Sequence, residues 1–134
     1  PVQALSEYGR LYNWHAVSDD RNLCPSHWHV PTDGEWTELS VLFGGAQEAG
    51  IELKTDYGWY VGNGTNSSGF SGLPGGMRQE NGNTNDAGAF GFWWSSSPNG
   101  ANAWYRYLYL SDDFGRDNFV LTQGMSVRCI KDAE

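Results

Sequence analysis

Residues 23–36 read Leu23-Cys24-Pro25-Ser26-His27-Trp28-His29-Val30-Pro31-Thr32-Asp33-Gly34-Glu35-Trp36. Thr32 is a helix N-cap, and Glu35 stands three residues on, the spacing of a capping box. Pro31 precedes the cap. Asp33 places a negative charge in the first turn, where the helix dipole favours it. Trp36, Leu39, Leu42 and Phe43 then share one face, and Gly44-Gly45 ends the run. The pattern predicts a helix over 32–43.

The chain can be read outward from this helix. A second short helix is expected from Ala46 to Lys54, weakened by Gly50. Towards the N-terminus, Gly9 to Val17 alternates: Leu11, Asn13, His15 and Val17 lie on one side, Tyr12, Trp14 and Ala16 on the other, which predicts a strand. Residues 1–8 read as a tail or linker remnant and 9–134 as one domain, as the length suggests. Beyond the helices, 57–88 is dense in Gly, Asn and Ser and reads as loops and turns. From Ala89 the pattern is antiparallel strands at 89–95, 102–110, 116–121 and 125–131, with turns at 111–115 and 122–124. Helices in front and a sheet behind make an α+β fold.

Composition excludes several functions. The chain of 134 residues has 8 Lys+Arg against 16 Asp+Glu, a formal charge of −8, so it offers no basic patch for nucleic acid. No apolar run approaches the ~20 residues of a membrane span. At 15% aromatic the sequence is not disordered. No signal peptide is seen, and the abrupt start at Pro1 suits a mature chain or a domain of a longer protein.

Cys24 and Cys129 are the two cysteines. A bridge between them would close a loop of about a hundred residues and suits an oxidising compartment. Two buried thiols are the alternative. Neither has a neighbouring cysteine, so no zinc knuckle can be drawn.

Leu11-Tyr12-Asn13-Trp14 and the 23–36 stretch resemble the "LYNW" and "LCPxGWHVPTxxEW" opening of the Fibrobacter succinogenes major paralogous domain. The later signposts follow in order: 69–76 (GFSGLPGG), 92–96 (FWWSS), 103–108 (AWYRYL) and 126–129 (SVRC). His27 stands where that family usually has Gly, a turn variation. The Val30–Trp36 stretch is also similar to a helix start in the sulfatase-modifying, formylglycine-generating enzymes. The resemblance implies a C-type-lectin-like fold: two helices flanking a small twisted antiparallel sheet with long irregular loops. It also implies adjacent chain ends, with Cys24 close to Cys129.

Catalysis does not carry over from those enzymes, whose chemistry needs cysteine pairs near a metal. His15, His27 and His29 read as structural rather than ligating. No nucleophile elbow is present. The Glu-Pro-Asn, Gln-Pro-Asp and Trp-Asn-Asp tripeptides of calcium-dependent sugar sites are absent from the sequence. Asn85-Asp86 and Asp112-Asp113 supply some oxygen ligands, fewer than the six to eight of a calcium site. A structural calcium ion stays open, and no cofactor or enzymatic activity is expected.

The last third concentrates tyrosine and asparagine, a composition suited to binding surfaces. Tyr105, Tyr107 and Tyr109 alternate with Trp104, Arg106 and Leu108, so they share a face, expected to be exposed. Trp94, Asn99, Asn102, Asp112, Asp113, Phe114, Arg116, Asn118 and Phe119 complete the candidate ligand-binding set. Arg106 is expected to face inward onto a carboxylate. The expected function is a non-catalytic extracellular or cell-surface bacterial module, lectin-like or adhesin-like. It would bind a protein or glycan ligand, without membrane insertion, as a monomeric domain of a larger protein. Two alternatives are the target protein of a diversity-generating retroelement, whose variable patch would occupy the same stretch, and a purely structural domain.

Overall fold

The computed structural model describes residues 5–133. It is a mixed α/β arrangement of small antiparallel sheets and few helices. In chain order the elements are α1 (Leu5–Tyr8), α2 (Trp14–Val17), β1 (Trp28–His29), α3 (Asp33–Leu42), α4 (Gly50–Leu53), β2 (Met77–Arg78), β3 (Thr84–Asn85), β4 (Gly91–Asn99), β5 (Asn102–Leu108), β6 (Phe114–Val120) and β7 (Ile130–Lys131).

The capping box forms as the sequence predicts. The Thr32 hydroxyl accepts from the Glu35 main-chain N–H at 3.1 Å, and the Glu35 carboxylate accepts from Thr32 N–H at 3.0 Å. The second helix is shorter than expected, a single turn at α4. The strand expected over 9–17 is not formed. Asn13 instead caps the turn α2, its side chain accepting from Ala16 N–H at 3.1 Å. Alternation over nine residues cannot separate a strand from an extended segment that coils when a capping side chain is at hand. Tyr12 is still extended, in a bridge to Met125.

The main sheet has the order β4-β5-β6, all antiparallel, with Trp94 opposite Tyr105 and Tyr105 opposite Asp117. The stretch 125–131 does not return as a strand beside β6. Met125 bridges Tyr12, Ser126 bridges Trp93, and the chain then runs to β7, which pairs with β1. The Cys24–Cys129 disulfide forms beside that pairing and joins residues 105 positions apart.

Both faces of the sheet are covered. One core holds Phe92, Trp94, Ala103, Tyr105, Met77, Met125, Val17, Cys24 and Val30. The other packs Trp93, Leu108 and Phe114 against Trp36 of α3 and Leu53 of α4. Trp36, Phe70, Trp93 and Phe114 meet edge to face with centroids 5.6–5.9 Å apart, the arrangement that ring quadrupoles favour. Lys54 is buried beneath this core. Its Nζ donates to the Ser111 carbonyl at 2.8 Å and lies 5.2 Å from the Trp59 ring centre.

Candidate functional site

The candidate residues of the last third do not form one patch. Strand alternation sends them to opposite faces, and each face has its own core. Trp94 and Phe114 are completely buried. They are core residues, not members of a binding surface. Trp94 donates its indole N–H to the Tyr12 carbonyl at 2.9 Å. Phe114 packs 5.8 Å from Trp36.

The three tyrosines share a face as predicted, but that face is not an open row. Tyr105 is 9% exposed. Tyr107 and Tyr109 are half-buried, because Phe90 folds over them and stacks on Tyr109 with centroids 4.0 Å apart. Tyr107 also lies across Gly115, where a Cβ would collide with its ring.

Arg116 projects to the α3 side of the sheet, with its guanidinium 3.6 Å from the Trp104 ring centre and hydrogen-bonded to Asp33. Arg106 faces inward onto the same carboxylate, as expected, at 2.9 Å. Asn102 and Asn118 bond each other across the strands at 2.9 Å. Asn99 is exposed at the β4–β5 turn, and Asp112 and Asp113 are exposed near α4. Phe119 is 38% exposed and lies on the Tyr105 face.

What the structure builds on that face is a concavity of about 730 Å³. Its walls are Met77, Gln79, Glu80, Asn81, Asn85, Asp86, Phe92, Tyr105, Phe119 and Gln123. Tyr105 and Phe119 belong to the expected set and the rest do not. The missing signal lay in the amide-rich run 79–86, which reads as a polar turn and folds as one. Met77 and Arg78 pair with Asn85 and Thr84. Gln79 N–H donates to the Asn83 carbonyl at 2.7 Å, and Asn83 N–H to the Asn81 side chain at 3.0 Å. Reciprocal main-chain bonds between Arg78 and Gly124 at 2.7 and 2.8 Å hold this hairpin against the turn that carries Gln123.

The polar groups in the concavity are unusual. Tyr105 and Gln123, 9% and 8% exposed, line it, and neither contributes a buried atom without a partner. Asn85 donates to Asp86 at 2.8 Å, while its buried Oδ1 has no partner. Buried polar groups are normally paired, and in this wall the Asn85 Oδ1 is the exception. Burial, with Asp117 alongside, pushes the Tyr105 hydroxyl up to about 12, so it stays protonated and can both donate and accept. The lining holds two carboxylates, Glu80 and Asp86, and no Lys, Arg or His.

The histidines lie elsewhere. His15 and His27 are exposed. His29 bridges two carboxylates, with Nδ1 2.6 Å from Asp132 and Nε2 2.8 Å from Glu35. Among the described residues no group of three or more His, Cys, Asp or Glu is placed to hold a metal ion.

The model of the Fibrobacter succinogenes major domain matches residues 2–131. No curated protein and no solved structure matches the chain. With nearly the whole length matched, the chain belongs to the Fibrobacter succinogenes major domain family.

Proposed function

We propose that this chain is a non-catalytic, extracellular ligand-binding module on a C-type-lectin-like fold. The observation that carries this reading is the concavity beside Tyr105. It combines the rings of Phe92, Tyr105 and Phe119 with the amides of 79–85 and Gln123, and the Asn85 Oδ1 in its wall is buried without a partner. That is the makeup of small-ligand sites, which are concave, mostly apolar, and furnished with a few convergent polar groups.

The remaining features are consistent with display outside the cell. The disulfide suits an oxidising compartment. No helix among the described residues is long and apolar enough to cross a membrane. The paired strands near the two ends, the capped helix and the three-stranded sheet support the lectin-like topology.

The binding site of this proposal is no longer the tyrosine row of the last third. It draws six of its ten wall residues from 77–86. A screen of soluble oligosaccharides and short peptides, read by amide chemical shifts of the whole chain, tests it. Ligands should shift the signals of 79–86, Tyr105 and Gln123. A screen in which every hit shifts other residues, or in which nothing binds, would refute it.

A further inference from the structure

Resting on the binding reading, we infer that the chain captures an extended peptide segment bearing lysine or arginine, which adds as a fourth strand along the outer edge of β6. Its cationic side chains would turn towards Glu80, Asp86 and Asp117, at the side of the concavity.

The two edges of the main sheet are treated differently. The outer edge of β4 is occupied. The Phe92 carbonyl accepts from Ser126 N–H at 3.0 Å, Trp94 N–H donates to the Ser126 carbonyl at 3.1 Å, and Ser96 N–H donates to the Pro31 carbonyl at 2.8 Å. β6 forms the opposite edge. Its Phe114 N–H points away from β5 and donates to the Ala46 carbonyl at 2.7 Å. Main-chain groups alternate along a strand, so Arg116, Asn118 and Val120 also turn theirs outward, while Gly115, Asp117 and Phe119 face β5. Beyond Phe114, the Gln123 N–H, 3.5 Å from the Val120 carbonyl, is the one main-chain group of another segment that reaches this row among the described residues.

The edge has little to keep a further strand away. It is seven residues long, holds no Pro or Lys, pairs without a bulge, and leaves Phe119 and Val120 exposed. Its guard is the Asp117 carboxylate, which accepts from Asn118 N–H at 2.8 Å. An arriving strand would take over that N–H and release the carboxylate to meet a cation.

Charge selects the partner. Side chains of an added strand alternate between the two faces. Those beside Asp117 and Phe119 would stand at the rim of the concavity, whose wall holds Glu80 and Asp86 and no cation. The hairpin's Arg78 is not in that wall, and its guanidinium lies beside Gly82. On the other face Arg116 is already held by Asp33 and Trp104. Lysine or arginine therefore gains on the concavity face, with its stem along Phe119. An acidic segment meets like charge. So does a second copy of the chain, at a formal charge of −8.

The test is a titration of the disulfide-bonded chain with a blocked octapeptide of alternating lysine and valine, read by amide chemical shifts and hydrogen exchange. Comparison peptides carry glutamate for lysine, N-methyl groups on the valines, or N-methyl groups on the lysines. The lysine peptide should bind, and added salt should weaken it. At saturation it should slow exchange at Arg116 and Val120 about tenfold or more, while Gly115, Asp117 and Phe119, which face β5, change little. The glutamate peptide should bind at least about tenfold more weakly. One N-methylated form should bind like the parent and the other should not, because an added strand is held by one of its two edges. Equal binding of the lysine and glutamate peptides overturns the inference, as does loss of the difference between the two N-methylated forms. Shifts at Glu80 and Asp86 without protection of Arg116 and Val120 overturn it too, and so does a chain that dimerises through those amides without peptide. If the lysine peptide is silent while a ligand of the screen above shifts 79–86, the binding module stands and this inference falls. If both are silent, both fall.

Discussion

The buried Arg106 guanidinium donates to both the carboxylate and the main-chain carbonyl of Asp33, at 2.9 and 3.0 Å. The same Nη2 reaches the Thr37 hydroxyl at 2.9 Å. From the other side Arg116 grips the carboxylate at 2.8 Å while its guanidinium carbon sits 3.6 Å over the Trp104 ring centre. One carboxylate at the start of α3 thus fastens the helix to β5 and β6. Asp33→Ala would leave a cation that is 3% exposed without its counter-charge. The expected loss is about 3 kcal/mol in chemical denaturation. Asp33→Asn, which still accepts a hydrogen bond, should lose less. Equal stability of Asp33→Ala and the parent would show that the helix is held by packing alone.

Asp33 also gives the fold an acid limit. Burial pushes its carboxyl up, but the hydrogen bonds from Arg116 and Arg106 outweigh burial, and the net direction is down. A lowered carboxyl stabilises the fold above its unfolded value, and the contribution is lost as pH falls through the folded value. The parent should therefore lose stability below about pH 4 more steeply than Asp33→Ala. Parallel denaturation series across acidic pH check the difference in slope.

His29 acts in the opposite direction. Hydrogen bonding to Asp132, then to Glu35, pushes its pKa up, and burial opposes this weakly. A raised histidine stabilises the fold fully below its unfolded value of about 6.5, and the contribution is lost as pH rises through the folded value. The pairing of β1 with β7 should loosen above neutrality. Imidazole titration by NMR should place His29 above the free value, and Asp132→Asn should bring it down. A His29 titrating at the free value in the parent would sink this account.

Reducing the disulfide releases a loop whose ends are 105 residues apart. In the chain-entropy model that costs about 4–5 kcal/mol. Denaturation with and without a thiol reductant measures it directly. Because Cys129 lies just before β7, amide exchange at Trp28 and Lys131 should rise first. Unchanged stability on reduction contradicts the prediction.

His27 has φ +69°, in the left-handed region that costs a side-chain-bearing residue about 1–2 kcal/mol. Its ring is exposed. His27→Gly should therefore raise stability, by about 1 kcal/mol at most once the greater freedom of glycine in the unfolded chain is counted. Lower stability of the variant would assign the imidazole a role of its own.

Local signals were readable from sequence, and packing was not. Thr32 and Glu35 lie three residues apart, and their bonds need nothing from the rest of the chain. The alternation of 102–108 correctly placed Tyr105 and Arg106 on opposite faces. It could not say that both faces would be covered, because the cover comes from Met77, Phe90 and Met125 on one side and from Trp36 and Leu53 on the other, all outside the strand. The expected binding set failed at Trp94 and Phe114 for that reason. Gln123 read as a turn residue and nothing more. Its place in the wall of the concavity depends on the main-chain bonds between Arg78 and Gly124, which have no signature in side-chain type.

Four indole N–H groups tie separate segments of the chain together, and each meets a main-chain carbonyl. Trp14 donates to Ser95, Trp36 to Trp94, Trp94 to Tyr12, and Trp59 to Gly72, the last shared with the Thr55 hydroxyl. A carbonyl is supplied by any amino acid. The receiving end of each bond is thus blind to side-chain type, and the mooring depends on the donor. These cross-links are written in a handful of tryptophans, and losing Trp14, Trp36 or Trp94 would leave a carbonyl that no other side chain among the described residues is placed to serve.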